Sequence, residues 1–138
     1  MTAHIEERLE ARIVAAAHTP SEVTVTLRYE RTDPYAVSVL FPPRSTMEGS
    51  EVVWIFSRDL LESGLRAPEG EGDVRLWPSG RDCTVVELRT PDATAMVEFD
   101  TTALRRFLWH SYRLTPRGDE HLELDVDGAL FELFDEAQ

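Results

Sequence analysis

EVTVTLRYERTDPYAVSVLF, residues 22–41, decides the fold class. Val23, Val25, Leu27 and Tyr29 alternate with Glu, Thr and Arg, the period of a strand with one buried and one wet face. RTDP (31–34) then punctuates the run. Pro34 fixes its own φ and drives Asp33 out of the helical region, so the chain turns here. YAVSVLF (35–41) returns as the second arm of a hairpin.

Downstream, PPRSTMEGS (42–50) is a loop by composition. EVVWIFS (51–57) follows as a strand that is apolar on both faces, Val53 and Ile55 against Val52, Trp54 and Phe56, which predicts cover on both sides. Ser57 is placed to cap a short helix, RDLLES, that Gly64 ends. VRLW (74–77) is a strand halted by Pro78, and short turns lead into CTVVELR (83–89) and ATAMVEFD (93–100), an antiparallel meander. DTTALRRFLWHSYRL (100–114) is an amphipathic helix with Asp100 or Thr101 as N-cap and Leu104, Phe107, Leu108, Ser111 and Tyr112 on one stripe. PRGDEH breaks it. A second, acidic helix (125–137) carries Ala129, Leu130, Leu133 and Phe134 at helical spacing. Upstream, IEERLEARIVAAA (5–17) fits two periods, with a slight lean to helix from Ile5, Leu9 and Ile13. Strands followed by terminal helices predict one α+β domain, residues 1–138.

Composition narrows the function. At 138 residues with 42% hydrophobic and 29% charged, the chain is long enough for a core and is not a disordered sequence. It has no apolar run of membrane-spanning length and no signal-peptide core at MTAHIEERLEARI, so the expected location is the cytoplasm. A single Cys83 leaves no disulfide framework. The net charge is −12, from 26 acidic residues against 14 basic ones, every one of them Arg. Eight of those acids lie between Asp119 and Gln138, where there is no Arg. Such a balance repels phosphate backbones at long range, so nucleic acid is not the expected partner.

No enzyme constellation emerges. The four His are scattered without metal-ligand spacing, Cys83 reads as a small core residue, and the serines lack a nucleophile-elbow context. EGEGD (69–73) has neither the Lys nor the glycine spacing of a phosphate loop, and DVDG (125–128) is out of register for a calcium loop. No catalytic residue, cofactor or metal is therefore expected. What remains is a polar–aromatic set of the kind enriched at interfaces: Arg58 and Asp59 just after a strand, and Arg75 with Trp77 and Pro78. At these positions core packing or local capping stands slightly ahead of partner binding.

At these segments the chain resembles a known family. RYERTDPYAV (28–37), WIFSRDLLESGL (54–65) and GEGDVRLWPS (70–79) are similar, in order and spacing, to signature stretches of the SsgA-like sporulation and cell-division regulators of filamentous actinobacteria. The resemblance implies a non-enzymatic role in septum-site selection. Its division-activating member is a recruiter of the tubulin-like protein FtsZ to sporulation septa, alongside an SsgA-type relative. The implied fold is like that of whirly-type single-strand nucleic-acid binders: barrel-like antiparallel sheets with a short helix after the fourth strand and two C-terminal helices, assembled as a homotrimer. It turns residues 5–17 into a strand, and it makes Asp33, Tyr35, Arg58, Asp59, Arg75 and Trp77 the expected partner-facing motif residues. The alternative it raises is a nucleic-acid-binding regulator, which requires a contiguous Arg stripe from Arg8, Arg12, Arg28 and Arg31.

Overall fold

The computed structural model describes residues 3–15, 19–46, 49–70 and 72–122. Its elements in chain order are β1 (His4–Ala15), β2 (Ser21–Glu30), β3 (Ala36–Phe41), β4 (Val52–Ser57), α1 (Arg58–Gly64), β5 (Val74–Ser79), β6 (Cys83–Arg89), β7 (Thr94–Asp100) and α2 (Thr101–Leu114), with one 3-10 turn at Pro43–Ser45. The seven strands form one antiparallel sheet in the order β4-β3-β2-β1-β7-β6-β5, curled as a half-barrel. The predicted α+β class, the hairpin, the meander and the helix after the fourth strand are all present. The acidic helix expected at 125–137 lies outside the described residues.

Residues 5–17 show why pattern alone misled. Ile5, Leu9 and Ile13 are four apart, a spacing that keeps one face in a helix and in a strand alike. Tertiary pairing decides between them. Ala11 sits opposite Val23 on one side and Phe99 on the other, so β1 is a central strand whose backbone is satisfied by two neighbours. The strand reading taken from the family resemblance holds.

The concave face carries the core. Val25 and Leu27 from β2, Val37 from β3, Leu76 from β5 and Val97 from β7 are almost fully buried. α2 lays Leu104, Phe107 and Leu108 onto them, the predicted stripe. Each such side chain contributes about 1.5–3 kcal/mol when taken fully out of water. At the start of α2 the Thr101 N–H donates to the Asp82 carbonyl (2.8 Å), and the Thr101 and Thr84 hydroxyls pair in the core (2.7 Å).

Two expectations change at the sheet edges. β4 is an edge strand: Phe56 is buried inward, while Val53 and Ile55 stand 46% and 61% exposed on the convex face. Its apolar character was legible, but among the described residues only one face is covered. β5 is the opposite edge and runs through Pro78 to Ser79 instead of stopping there. An edge strand needs ladder bonds on one side only, so a missing N–H is tolerated. Among the described residues no helix is long and apolar enough to cross a membrane.

Candidate protein-docking surface

Arg58 organises one end of the molecule. Ser57 Oγ accepts from the Leu60 N–H (2.9 Å) and caps α1, as its sequence position predicts. The Arg58 N–H donates to the Tyr35 carbonyl (2.7 Å), so the start of α1 is tied to the turn that closes the β2–β3 hairpin. Its side chain then runs inward and is only 1% exposed. The guanidinium lies between two aromatic rings, 4.8 Å from the Tyr29 centroid and 4.2 Å from that of Tyr112. Nη1 donates to the carbonyls of Ser111 (3.1 Å) and Thr115 (2.9 Å), and Nη2 pairs with Glu120 Oε1 at 2.7 Å.

Those two carbonyls belong to the last turn of α2 and its C-cap; that of Ser111 also accepts from the Thr115 N–H (2.9 Å), and that of Thr115 lies past the end of the helical ladder. A planar fork with five donors serves them and a carboxylate together, which one ammonium cannot do in the same geometry. Glu120 turns its other oxygen to the Gly118 N–H (3.0 Å). The Tyr29 hydroxyl donates to the Pro34 carbonyl (2.9 Å), joining the hairpin turn to the same cluster.

Protonation follows from these contacts. Burial alone would raise the Glu120 carboxyl; its own N–H, Arg58 and the Gly118 N–H outweigh that and hold it below its ordinary value. Burial pushes both Tyr29 and Tyr112 above the usual phenol range, against the pull of Arg58. A folded carboxyl that binds its proton less tightly than the unfolded one stabilises the fold above the unfolded pKa. That stability disappears as pH falls through the folded value. Urea stability is therefore expected to drop as pH falls below about 4.5, and Glu120→Gln is expected to flatten this acid limb while lowering stability at neutral pH. An unchanged limb in the variant would take Glu120 out of the acid response.

The six motif residues separate into two groups. Asp33 and Tyr35, on the hairpin turn, and Asp59, in the first turn of α1, are exposed around the Arg58 anchor; Tyr35 is 47% accessible. Arg58 itself, expected on the surface, is inside, because its position at the strand–helix junction aims it at the unsatisfied end of α2. Arg75 and Trp77 lie apart on the convex face of β5, in register with Glu87 and Val85; Arg75 also reaches the Gly70 carbonyl, at 3.4 Å. Sequence reasoning missed the partners of Arg58, above all Glu120, which is 62 residues away and had been counted with an acidic tail.

The rest of the surface weighs on the alternatives. On β1 and β2, Arg8 and Arg12 alternate with Glu6 and Glu10, and Arg28 pairs with Glu6 (3.4 Å) and Glu30 (3.1 Å). This is a checkerboard and not the contiguous Arg stripe that a nucleic-acid groove needs. The concave face opens as a recess of about 180 Å³ lined mainly by apolar side chains, including Ile13, Phe41, Trp54 and Val97, with no titratable group converging on it. Among the described residues no cluster of three or more His, Cys, Asp or Glu is placed to hold a metal ion. Cys83 is a free thiol raised by burial and by neighbouring Glu98, which suits an inert side chain.

Comparison with known proteins agrees with the motifs. Residues 23–120 match the family model described as Streptomyces sporulation and cell division protein, SsgA. The chain is 42% identical over 129 residues to the sporulation-specific cell division protein SsgB of Salinispora tropica, covering 91% of this chain and 90% of that one. It is 36% identical to SsgB of Streptomyces coelicolor over 99% of this chain and all of the relative. A crystal structure of an SsgA-like sporulation-specific cell division protein from Thermobifida fusca superposes with a TM-score of 0.84 at 30% identity, over 95% of this chain and 96% of that one. A structure of the Streptomyces coelicolor SsgB gives 0.78 at 35% identity, over 89% and 97%. With the signature stretches placed on one curled sheet and matched along most of its length, the chain belongs to the SsgA-like family of sporulation and cell-division proteins.

Proposed function

We propose that this chain is a non-enzymatic adaptor of sporulation-specific cell division, which binds FtsZ and an SsgA-type relative and brings the polymer to septum sites. The observation that carries the reading is the arrangement around Arg58: a buried anchor fixes Asp33, Tyr35 and Asp59 as a rigid, exposed polar–aromatic surface. Rigid aromatic contacts of this kind bind at little entropic cost. The names of the relatives support a division role. Val53 and Ile55, exposed on the edge strand β4, support self-association, by family resemblance as a trimer. Several identical sites on one oligomer would engage one filament and raise avidity without new contacts. The working location is the cytoplasmic side of division septa, with any membrane contact made through a partner.

Co-sedimentation with FtsZ polymers tests the proposal. The chain is expected to pellet in the presence of GTP and to stay in solution without it. Tyr35→Ala combined with Asp59→Arg is expected to weaken binding about tenfold, with an unchanged urea midpoint. Absence of pelleting at tens of micromolar, far above a useful micromolar affinity, would overturn direct recruitment.

A further inference from the structure

α2 is the exception to the acidity of this chain. Its 14 residues, TTALRRFLWHSYRL, contain three Arg and no carboxylate, within a molecule of net charge −12. Arg105, Trp109 and Arg113 follow one another at four-residue spacing, and all three are exposed. Trp109 is 56% accessible, and the Arg113 guanidinium lies over its ring at 4.9 Å. Beside this stripe a cleft of about 250 Å³ lies between α1 and α2. Leu65, Leu108, Trp109 and Tyr112 give it apolar walls, and the exposed Arg66 and Arg105 add positive charge. Its one carboxylate, Glu62, is held by the Tyr112 hydroxyl, Arg66 and Arg117. Among the described residues Arg105, Arg106 and Arg113 form no ion pair. An exposed Trp flanked by Arg over apolar ground is the composition of a binding hot spot.

These walls and charges call for two chemistries in one occupant. A leucine or phenylalanine side chain would fill the apolar part and bring no polar edge to be stranded there. A nucleobase would turn its N–H donors onto walls whose carboxylate, Glu62, is already taken. The guanidiniums of Arg105 and Arg113, in contrast, lack anions. They are eight residues apart on one helix, roughly 12 Å, with Trp109 midway. Carboxylates about 6 Å to either side of a central apolar anchor would meet both, a spacing of four residues along a helix or two along a strand. Arg66 faces the same anchor from α1. The net charge slows the approach of any anion, but a segment with a few carboxylates meets less of that repulsion than a polyanion does. Within a Debye length of about 8–10 Å the local Arg set decides.

We propose that the α1–α2 cleft docks an acidic segment of another protein, with one leucine or aromatic side chain seated on Leu65, Leu108 and Trp109 and its carboxylates against Arg66, Arg105 and Arg113. This surface shares no residue with the one formed by Asp33, Tyr35 and Asp59, and it holds or fails independently of FtsZ binding.

The test uses the full chain and two fluorescein-labelled synthetic peptides, one helical and one extended, each with a central Phe flanked by Glu at the spacings just given. Anisotropy titrations are expected to saturate for at least one of them, with a Kd of about 10–100 μM that rises with added salt. The unlabelled form of that peptide is expected to shift the indole N–H resonance of Trp109, assigned with Trp109→Phe, and to leave those of Trp54 and Trp77. Arg105→Glu with Arg113→Glu is expected to weaken binding at least about tenfold. Arg44→Glu with Arg81→Glu, the same charge change at exposed positions outside α1 and α2, is expected to leave it. The Trp54 and Trp77 resonances report that each variant is folded. Failure of both peptides to bind overturns the proposal. So does equal binding of peptides with Gln for Glu, or with Ser for Phe, since one of the two chemistries is then idle. Tighter binding of fluorescein-labelled oligothymidylate, lost in the Arg105/Arg113 variant, overturns it in favour of a nucleic-acid surface. Self-association that the same variant abolishes in sedimentation overturns it in favour of a second copy.

Discussion

Arg58→Glu is expected to leave no cooperative urea transition, and so to abolish partner binding by abolishing the fold. The substitution removes a guanidinium that serves the Ser111 and Thr115 carbonyls and Glu120, and puts a second carboxylate beside the first in a site that is 1% exposed. Removing one partner of a buried pair costs about 3–5 kcal/mol because the other is left unpaired, a large share of a typical 5–15 kcal/mol total. Arg58→Met, which only empties the site, is expected near that figure. Arg58→Lys is expected to be intermediate, since it retains the charge but loses the planar fork and its stacking on the two rings. A double change, Arg58→Met with Glu120→Met, is expected to recover part of the loss, because the orphaned charge is gone. Urea melts followed by tryptophan fluorescence check the series. A folded Arg58→Glu chain with an unchanged midpoint would remove Arg58 from the interior.

This changes how a charge reversal at position 58 bears on function. In a surface residue, loss of binding without loss of stability locates an interface. In Arg58 the two losses are bound together, since its side chain closes α2 and lies on the Tyr29 ring, whose hydroxyl holds the Pro34 carbonyl of the turn that presents Asp33 and Tyr35. The exposed neighbours, Tyr35 and Asp59, are the positions at which binding and folding separate.

Local signals carried most of the fold. Alternation in β2 and β3, the Ser57 cap and the α2 stripe depend on neighbours within a few residues, which a sequence displays directly. β1 was ambiguous because four-residue spacing serves both periods, and only its partners, Val23 and Phe99, settle it. Exposure was the least legible property. An Arg at a strand–helix junction looks like surface until the end of α2 arrives from more than fifty residues away. Val53 and Ile55 look like core until β4 proves to be the last strand of the sheet. The candidate site was legible as a set of motifs, but its division into a buried anchor and an exposed rim was not.

Closure of the half-barrel rests on a contact that a single methyl group is expected to break. α1 links β4 at one edge of the sheet to β5 at the other, and it does so by laying Gly64 directly on Leu76, which is fully buried. A Cβ at position 64 would overlap the Leu76 Cβ and come within 3.3 Å of its Cγ and Cδ2. Leu76 cannot yield easily, because its Cβ is fixed by the β5 backbone, which pairs with β6 in the Leu76↔Val86 register. In an exposed helix Gly→Ala stabilises by about 1 kcal/mol through backbone entropy. Here the sign reverses: overpacking of this kind costs about 1–3 kcal/mol or more, and α1 must move off the sheet to relieve it. Gly64→Ala is therefore expected to lower stability by about 2 kcal/mol net, and Gly64→Val by more. Leu76→Ala in the Gly64→Ala background is not expected to rescue, since the clashing atom is the Cβ that alanine keeps. Leu76→Gly removes that atom and is expected to restore the seating of α1, at the separate cost of a core cavity. Thermal melts of the four variants distinguish this close approach from an ordinary helix-propensity effect, under which Gly64→Ala would be the most stable chain of the set.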